Sequence, residues 1–307
     1  METRPLNRMC VGGAAKKKAP RTPPGDPGRA APGVWIGDPR ALCPPLDEKE
    51  SKAASDTIFK QLTAGKKPAP KDEAPHLVMT IGPPGAGKST VARELVAHWS
   101  GVAPGDYVEL DWDSTLDLFP QGAQLRDLPD MAGRPTGVGA AYGWTECIGT
   151  LDAPTMAAFY RLMEGRYNLI VHVHYQQFLI EAQLHGYVCT LFYVAVSRET
   201  ALRRAAARAA ELGRYLAPAT AENGWGWEEA VGRMWQNYRY RTPWYALWAD
   251  NLAVVNNERD GHTPVKEDFK LYVTHPPLEP DQDWHGVLGG LWGALGEAHG
   301  EAQPRKK

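Results

Sequence analysis

At 307 residues, with 34 Lys plus Arg against 36 Asp plus Glu, the chain is long enough to bury a sizeable core in one or two domains and carries no global field that would draw it to nucleic acid or to an anionic membrane. No run approaches the roughly 18 apolar residues of a membrane span, and the N-terminal stretch lacks the apolar segment of a secretory signal, so a cytoplasmic protein without a membrane partner is expected. The 4 cysteines, Cys10, Cys43, Cys147 and Cys189, form neither a CxxC pair nor a zinc spacing and read as reduced thiols.

Residues 1–45 are crowded with Pro, Gly and Ala and carry Lys16, Lys17, Lys18 and Arg21. Such a composition buries too little apolar surface to offset chain entropy, and a disordered arm is predicted. From Leu46 to Leu62 the pattern is helical, opened by Asp47 and Glu48 and stopped near Gly65. After a polar connector, His76 to Ile81 is a short apolar run suited to a parallel strand buried on both faces. A glycine-rich loop follows, then Ser89 to Trp99 with Val91, Leu95, Val96 and Trp99 at helical spacing. Further apolar runs at Tyr107 to Leu110, Tyr167 to Val173, Cys189 to Val196 and Leu252 to Val255 alternate with helical segments such as Thr155 to Gly165 and Glu199 to Gly213. This order predicts an α/β fold, a parallel sheet with helices on both faces, over residues 46–275. Residues 276–307 hold an apolar stripe, Trp284, Val287, Leu288, Leu291, Trp292 and Leu295, read as amphipathic and docked on its own domain.

The loop Gly82-Pro83-Pro84-Gly85-Ala86-Gly87-Lys88-Ser89, continued by Thr90, matches GxxxxGK[ST] at every required position. Glycines let several backbone N–H groups point inward, and the following helix adds its positive end, so the loop is suited to an anion. Lys88 would reach the β- and γ-phosphates of ATP and the Ser89 hydroxyl would ligate Mg²⁺. A strand ahead and a helix behind supply the context this motif requires.

In a doubly wound sheet the ligand lies at the carboxyl ends of the strands, where Glu109-Leu-Asp-Trp-Asp ends the second. Strand alternation would place Asp111 and Asp113 on one side, one to hold the Mg²⁺ shell and one to take a proton from an attacking hydroxyl. Arg203, Arg204, Arg208 and Arg214 follow the fourth strand on an Ala-rich segment; an arginine there can neutralise charge on a transferring phosphoryl group, although some of the four would form a wet helix face. His172 and His174 alternate on the third strand. With no third ligand at a useful spacing they read as structure or substrate contacts rather than a zinc site. The aromatic run Trp225, Trp227, Trp235, Tyr238, Tyr240, Trp244, Tyr245 and Trp248 is expected to pack helices against the sheet.

From about Ser55 to Gly261 the chain resembles the zeta-toxin family of P-loop kinases. The helix with Phe59 and the Gly65-Lys-Lys turn, the loop Gly82 to Thr90, the Asp111-Trp-Asp113 strand end, Tyr167-Asn-Leu-Ile-Val and the strand after Gly186 look like that family's order. The resemblance implies an adenylate-kinase-like P-loop NTPase fold, Lys88 as phosphate lysine, Asp113 as catalytic base, and Arg208 and Arg214 as lid arginines. It also implies a kinase, since several members phosphorylate UDP-N-acetylglucosamine, and it brings an antitoxin-like inhibitor protein into view as a partner. Where the family usually has a glutamate followed by Gly-Thr-Gly-Arg, at positions touching the acceptor, this chain reads His172-Val-His-Tyr-Gln. Asp111, His172 and His174 are therefore the substrate-side candidates. The expected activity is transfer of the γ-phosphoryl group of ATP to a hydroxyl of a small molecule or nucleotide sugar. An NTPase switch or a catalytically degenerate nucleotide-binding module is the alternative.

Overall fold

A computed structural model describes residues 43–100, 102–126, 138–172, 175–212, 227–260 and 269–273. Residues 1–42 of the predicted arm, Arg214, His174, Trp225 and the stripe from Trp284 to Leu295 lie outside them, whereas Cys43, expected in the disordered arm, is buried.

The first helix, α1 (Glu48–Leu62), starts where the acids predicted it: the Asp47 carboxylate accepts from the Glu50 N–H at 2.8 Å and the Glu50 carboxylate from the Asp47 N–H at 2.9 Å. This reciprocal cap satisfies two of the donors that a helix start leaves unpaired. Six strands follow, β1 (His76–Ile81), β2 (Tyr107–Asp111), β3 (Asn168–His172), β4 (Val188–Ala195), β5 (Asn251–Asn256) and β6 (Phe269–Val273), in the spatial order β2-β3-β1-β4-β5-β6. The first five are mutually parallel; β6, which the sequence did not reveal, runs antiparallel to β5. After β1 the chain fills one side of it with β2 and β3 and then the other with β4 and β5, which makes the carboxyl end of β1 the switch point where such sheets bind ligands.

Alternation along the strands sorts the core into two layers. Leu77, Met79 and Ile81 of β1, Val108 and Leu110 of β2, and Leu169 and Val171 of β3 face one side, with Phe159, Leu162 and Phe178. Val78, Tyr107 and Ile170 face the other, packed with Val91 and Ala92 of α2 (Lys88–Ser100) and Ala201 and Ala205 of α7 (Arg198–Leu212). The same parity carries Thr80, Glu109 and His172 to the α2 side.

Three helices fall between β2 and β3: α3 (Trp112–Thr115), α4 (Pro120–Arg126) and α5 (Val138–Glu164); the last extends the helix expected from Thr155. Helix α1 lies along α5, where Arg161 meets Asp56 at 2.6 Å and covers the Phe59 ring at 4.2 Å. Helix α6 (Gln177–Leu184) precedes β4, and α8 (Trp227–Ala246) precedes β5. Two expectations are corrected. Cys43 and Cys147 form a disulfide across 104 residues, so the cysteines are not all thiols, and buried Cys189 is the free one among the described residues. Strand β2 also stops at Asp111, and Asp113 stands on the helical turn α3 instead of continuing the strand's alternation. No described helix is long and apolar enough to cross a membrane.

Candidate active site

Between β1 and α2 the loop holds Gly82, Gly85 and Gly87 at positive φ. At Gly87, with φ +84°, a Cβ would lie 2.5 Å from the Asn257 side-chain nitrogen, and at Gly85, with φ +80°, one would lie 2.6 Å from the Ala201 carbonyl oxygen. Both positions need glycine on two counts, backbone conformation and space. Asn257, just beyond β5, donates from Nδ2 to the Ala86 carbonyl at 2.7 Å, with both residues buried. It braces the loop from the opposite side of the sheet's centre, a role no motif in the sequence announced. Glu258 then accepts from the Ser197 N–H at 2.6 Å and from its hydroxyl at 2.7 Å, securing the start of α7 against the same loop.

Lys88 is half-buried and its Nζ donates to the Gly82 carbonyl at 3.0 Å and the Pro83 carbonyl at 3.3 Å. Burial pulls its pKa down to about 8, with Asp111 pushing the other way, Arg208 adding to the fall, and Asp113 opposing it. An ammonium in this position is met by neutral carbonyls and is matched by a polyphosphate, whose charge would restore its full protonation. The residues fit the triphosphate and ion that the motif implies: glycine backbone for the phosphates, and hydroxyl and carboxylate oxygens from Ser89, Asp111 and Asp113, the hard donors that suit Mg²⁺.

Beside the loop opens a cavity of about 380 Å³ lined by Leu62, Ser89, Arg93, Glu109, Asp111, Ser114, Thr115, Leu118 and Arg208. The loop, the end of β2 and α7 thus converge on one space. Asp111 caps α3: its Oδ1 accepts from the Asp113 N–H at 3.1 Å and its Oδ2 from the Ser114 hydroxyl at 3.0 Å. Helix α3 is further fixed by the Trp112 indole, which donates to Asp152 of α5 at 3.1 Å and meets Phe178 edge-on at 5.1 Å between centroids. Asp113 is exposed on this anchored turn and faces Lys88 and Tyr238 electrostatically. Burial and Asp113 together raise the Tyr238 pKa.

The arginines divide. Arg203 and Arg204 both pair with Asp260, and Arg204 also donates to the Asn257 carbonyl at 2.7 Å, so these two tie α7 to the β5 exit. Arg208, one turn further, lines the cavity. The aromatic residues divide too: Tyr238 and Tyr245 are in the core, Trp235 donates to the Val196 carbonyl at 2.8 Å, while Tyr240, Trp244 and Trp248 are exposed. His172 is engaged on both ring nitrogens, Nδ1 with the Thr80 hydroxyl at 2.5 Å and Nε2 with the Glu109 carboxylate at 2.8 Å. Glu109 also receives Arg93 in a two-point pair, at 2.8 and 3.0 Å. Burial raises the Glu109 pKa, but hydrogen bonds from His172 and Arg93 overcome this and bring it to about 2. Glu109 and Arg93 were missed as site residues; the available signal was strand parity, which puts Glu109 on the face of α2 two residues before Asp111.

The family model for zeta toxin matches residues 60–225. The chain belongs to the zeta toxin family. That family is one of P-loop phosphotransferases. Among solved structures, the chain is similar to one from a study of the PezAT chromosomal toxin–antitoxin system of Streptococcus pneumoniae, at 15% identity, 85% coverage of this chain, 91% of that chain and a TM-score of 0.51. This likeness carries the fold. A complex described as AvrRxo1-ORF1:-ORF2 with ATP is similar at 12% identity, 82% coverage of each chain and a TM-score of 0.42. No curated protein sequence matches the chain.

Proposed function

We propose that this zeta toxin family member is an ATP-dependent kinase that transfers the γ-phosphoryl group to a hydroxyl of a small molecule or nucleotide sugar. The observation that carries the reading is the convergence of Ser89, Asp111 and Arg208 on one cavity beside the half-buried Lys88. Lys88 and the loop N–H groups hold the β- and γ-phosphates; the Ser89 hydroxyl and the Asp111 carboxylate at the end of β2 would hold Mg²⁺, which would supply charge neutralisation there.

Asp113, on the turn fixed by the Asp111 cap and the Trp112–Asp152 bond, takes the proton of the acceptor hydroxyl. The acceptor oxygen bonds to the γ-phosphorus as the bond to the β-bridging oxygen breaks, giving a phosphate ester and ADP. Arg208, and Arg214 beyond the described residues, stabilise charge spreading over the transferring group. Asp111 builds the strand end, each of its oxygens accepting one bond from α3, and the lone pairs left over are what would reach a metal ion from the cavity it lines.

An antitoxin-like inhibitor protein is the partner that goes with a toxin of this type, and a cytoplasmic setting goes with the use of ATP. The Cys43–Cys147 bond is uncommon for that compartment. ATP consumption measured with and without a panel of cell metabolites tests the proposal. Stimulation by a particular metabolite is expected; acceptor-independent hydrolysis indicates a switch, and nucleotide binding without turnover indicates a degenerate module.

A further inference from the structure

Four side chains form a continuous polar chain beneath the cavity: Thr80 at the end of β1, His172 at the end of β3, Glu109 in β2 and Arg93 one turn after Ser89 on α2. The Glu109 carboxylate receives Arg93 on both of its oxygens and so acts as an acceptor, which puts the shared hydrogen on His172 Nε2 and leaves Nδ1 to face the Thr80 hydroxyl. The histidine is buried, with 5% of its side chain exposed, and its partners on both sides fix the ring. Glu109 in turn grips Arg93 through Nε and Nη2.

Arg93 is the open end of this chain. A guanidinium has about five N–H donors; two are committed to Glu109, and the side chain, which lines the cavity, is 64% exposed. Donors with no protein acceptor among the described residues, pre-set in a planar fork, are the complement of a group that only accepts, such as a phosphate or carboxylate. A lone surface arginine would lose rotamer freedom on binding such a group; this one has already lost it to Glu109.

We infer that Arg93 is a specificity-determining residue that binds an oxyanion on the acceptor, and that Glu109 and His172 are positioning residues that aim it. The assignment rests on the kinase reading and deepens it. His172 then acts on the acceptor through Glu109 and Arg93 rather than by contact, which revises its place among the substrate-side candidates.

The test uses the full chain saturated with Mg²⁺ and AMP-PNP, which occupies the phosphate loop, titrated with inorganic phosphate and separately with acetate by calorimetry or NMR. Wild type should bind one of the two anions; phosphate alone points to a phosphorylated acceptor, acetate alone to a carboxylated one. Arg93→Ala should weaken that binding at least about tenfold, the scale of a lost charge-assisted pair, while its AMP-PNP affinity stays at the wild-type value. Arg93→Lys should recover part. Glu109→Gln and His172→Ala should each weaken anion binding several-fold, and His172→Gln, which keeps a donor toward Glu109, should restore it where a merely structural histidine would not be so replaced.

Absence of AMP-PNP binding to wild type would overturn the kinase reading and this assignment with it. AMP-PNP binding together with anion binding that is missing in wild type, or unchanged in Arg93→Ala, would overturn the assignment alone.

Discussion

The Asn257 brace and the Gly87 backbone make a prediction about coupling. Replacing Gly87 by Ala at φ +84° costs about 1–2 kcal/mol of backbone strain. The new Cβ, 2.5 Å from Asn257 Nδ2, also forces that amide away and breaks its bond to the Ala86 carbonyl. A buried carbonyl left without a partner costs about 1–3 kcal/mol, so Gly87→Ala should lose about 2–5 kcal/mol in all. Asn257→Ala removes the same hydrogen bond without the strain and should lose about 1–3 kcal/mol. In the double variant the carbonyl is orphaned only once and the overlap is gone, so Asn257→Ala should cost almost nothing in the Gly87→Ala background. Urea unfolding of the four proteins gives the cycle, with AMP-PNP affinity as a parallel readout. Losses that add to within about 0.5 kcal/mol, the behaviour of independent sites, would refute the coupling.

Asp113→Asn should bind Mg²⁺-ATP about as tightly as wild type while transfer falls roughly 10²- to 10⁴-fold, the range for a lost general base; single-turnover rates check this. Asp111→Asn should instead lower stability through its weakened cap, and a result with the two roles exchanged would move the base to Asp111. Arg208→Ala should slow transfer far more than it weakens ATP binding, with only partial recovery in Arg208→Lys, because an ammonium lacks the planar fork; an unchanged kcat removes it from the transition state. Cys43→Ser should destabilise by up to about 4.7 kcal/mol on the chain-entropy account of a loop near 100 residues, seen as a lower melting temperature that reductant produces in wild type but not in the variant, whereas removing residues 1–42 should leave it in place.

Local chemistry made much of this site legible. The loop from Gly82 to Ser89, the acids that open α1 and the apolar runs of the five parallel strands are short-range signals, each decided by the residues at that place. What was hidden depended on distant pairing. Asn257 meets Ala86 and Cys43 meets Cys147 only after the sheet order is known, and four scattered cysteines carry no mark of which two will meet. Asp113 was misplaced on a strand because the Asp111 side chain, by capping, ends β2 and starts a helical turn, and an aspartate's choice between strand and cap is made by its neighbours in space. His172 and Glu109 lie 63 residues apart, and their pairing follows from strand register, which a single sequence does not print.

The claim on which all of this rests is that Gly82 to Thr90 grips a triphosphate through Lys88. Isothermal titration of wild type and Lys88→Ala with ATP and Mg²⁺ at neutral pH tests it most directly. The account predicts a single nucleotide site in wild type and a large loss of affinity in the variant, since Lys88 is the loop's one cation; equal affinity in both would contradict it.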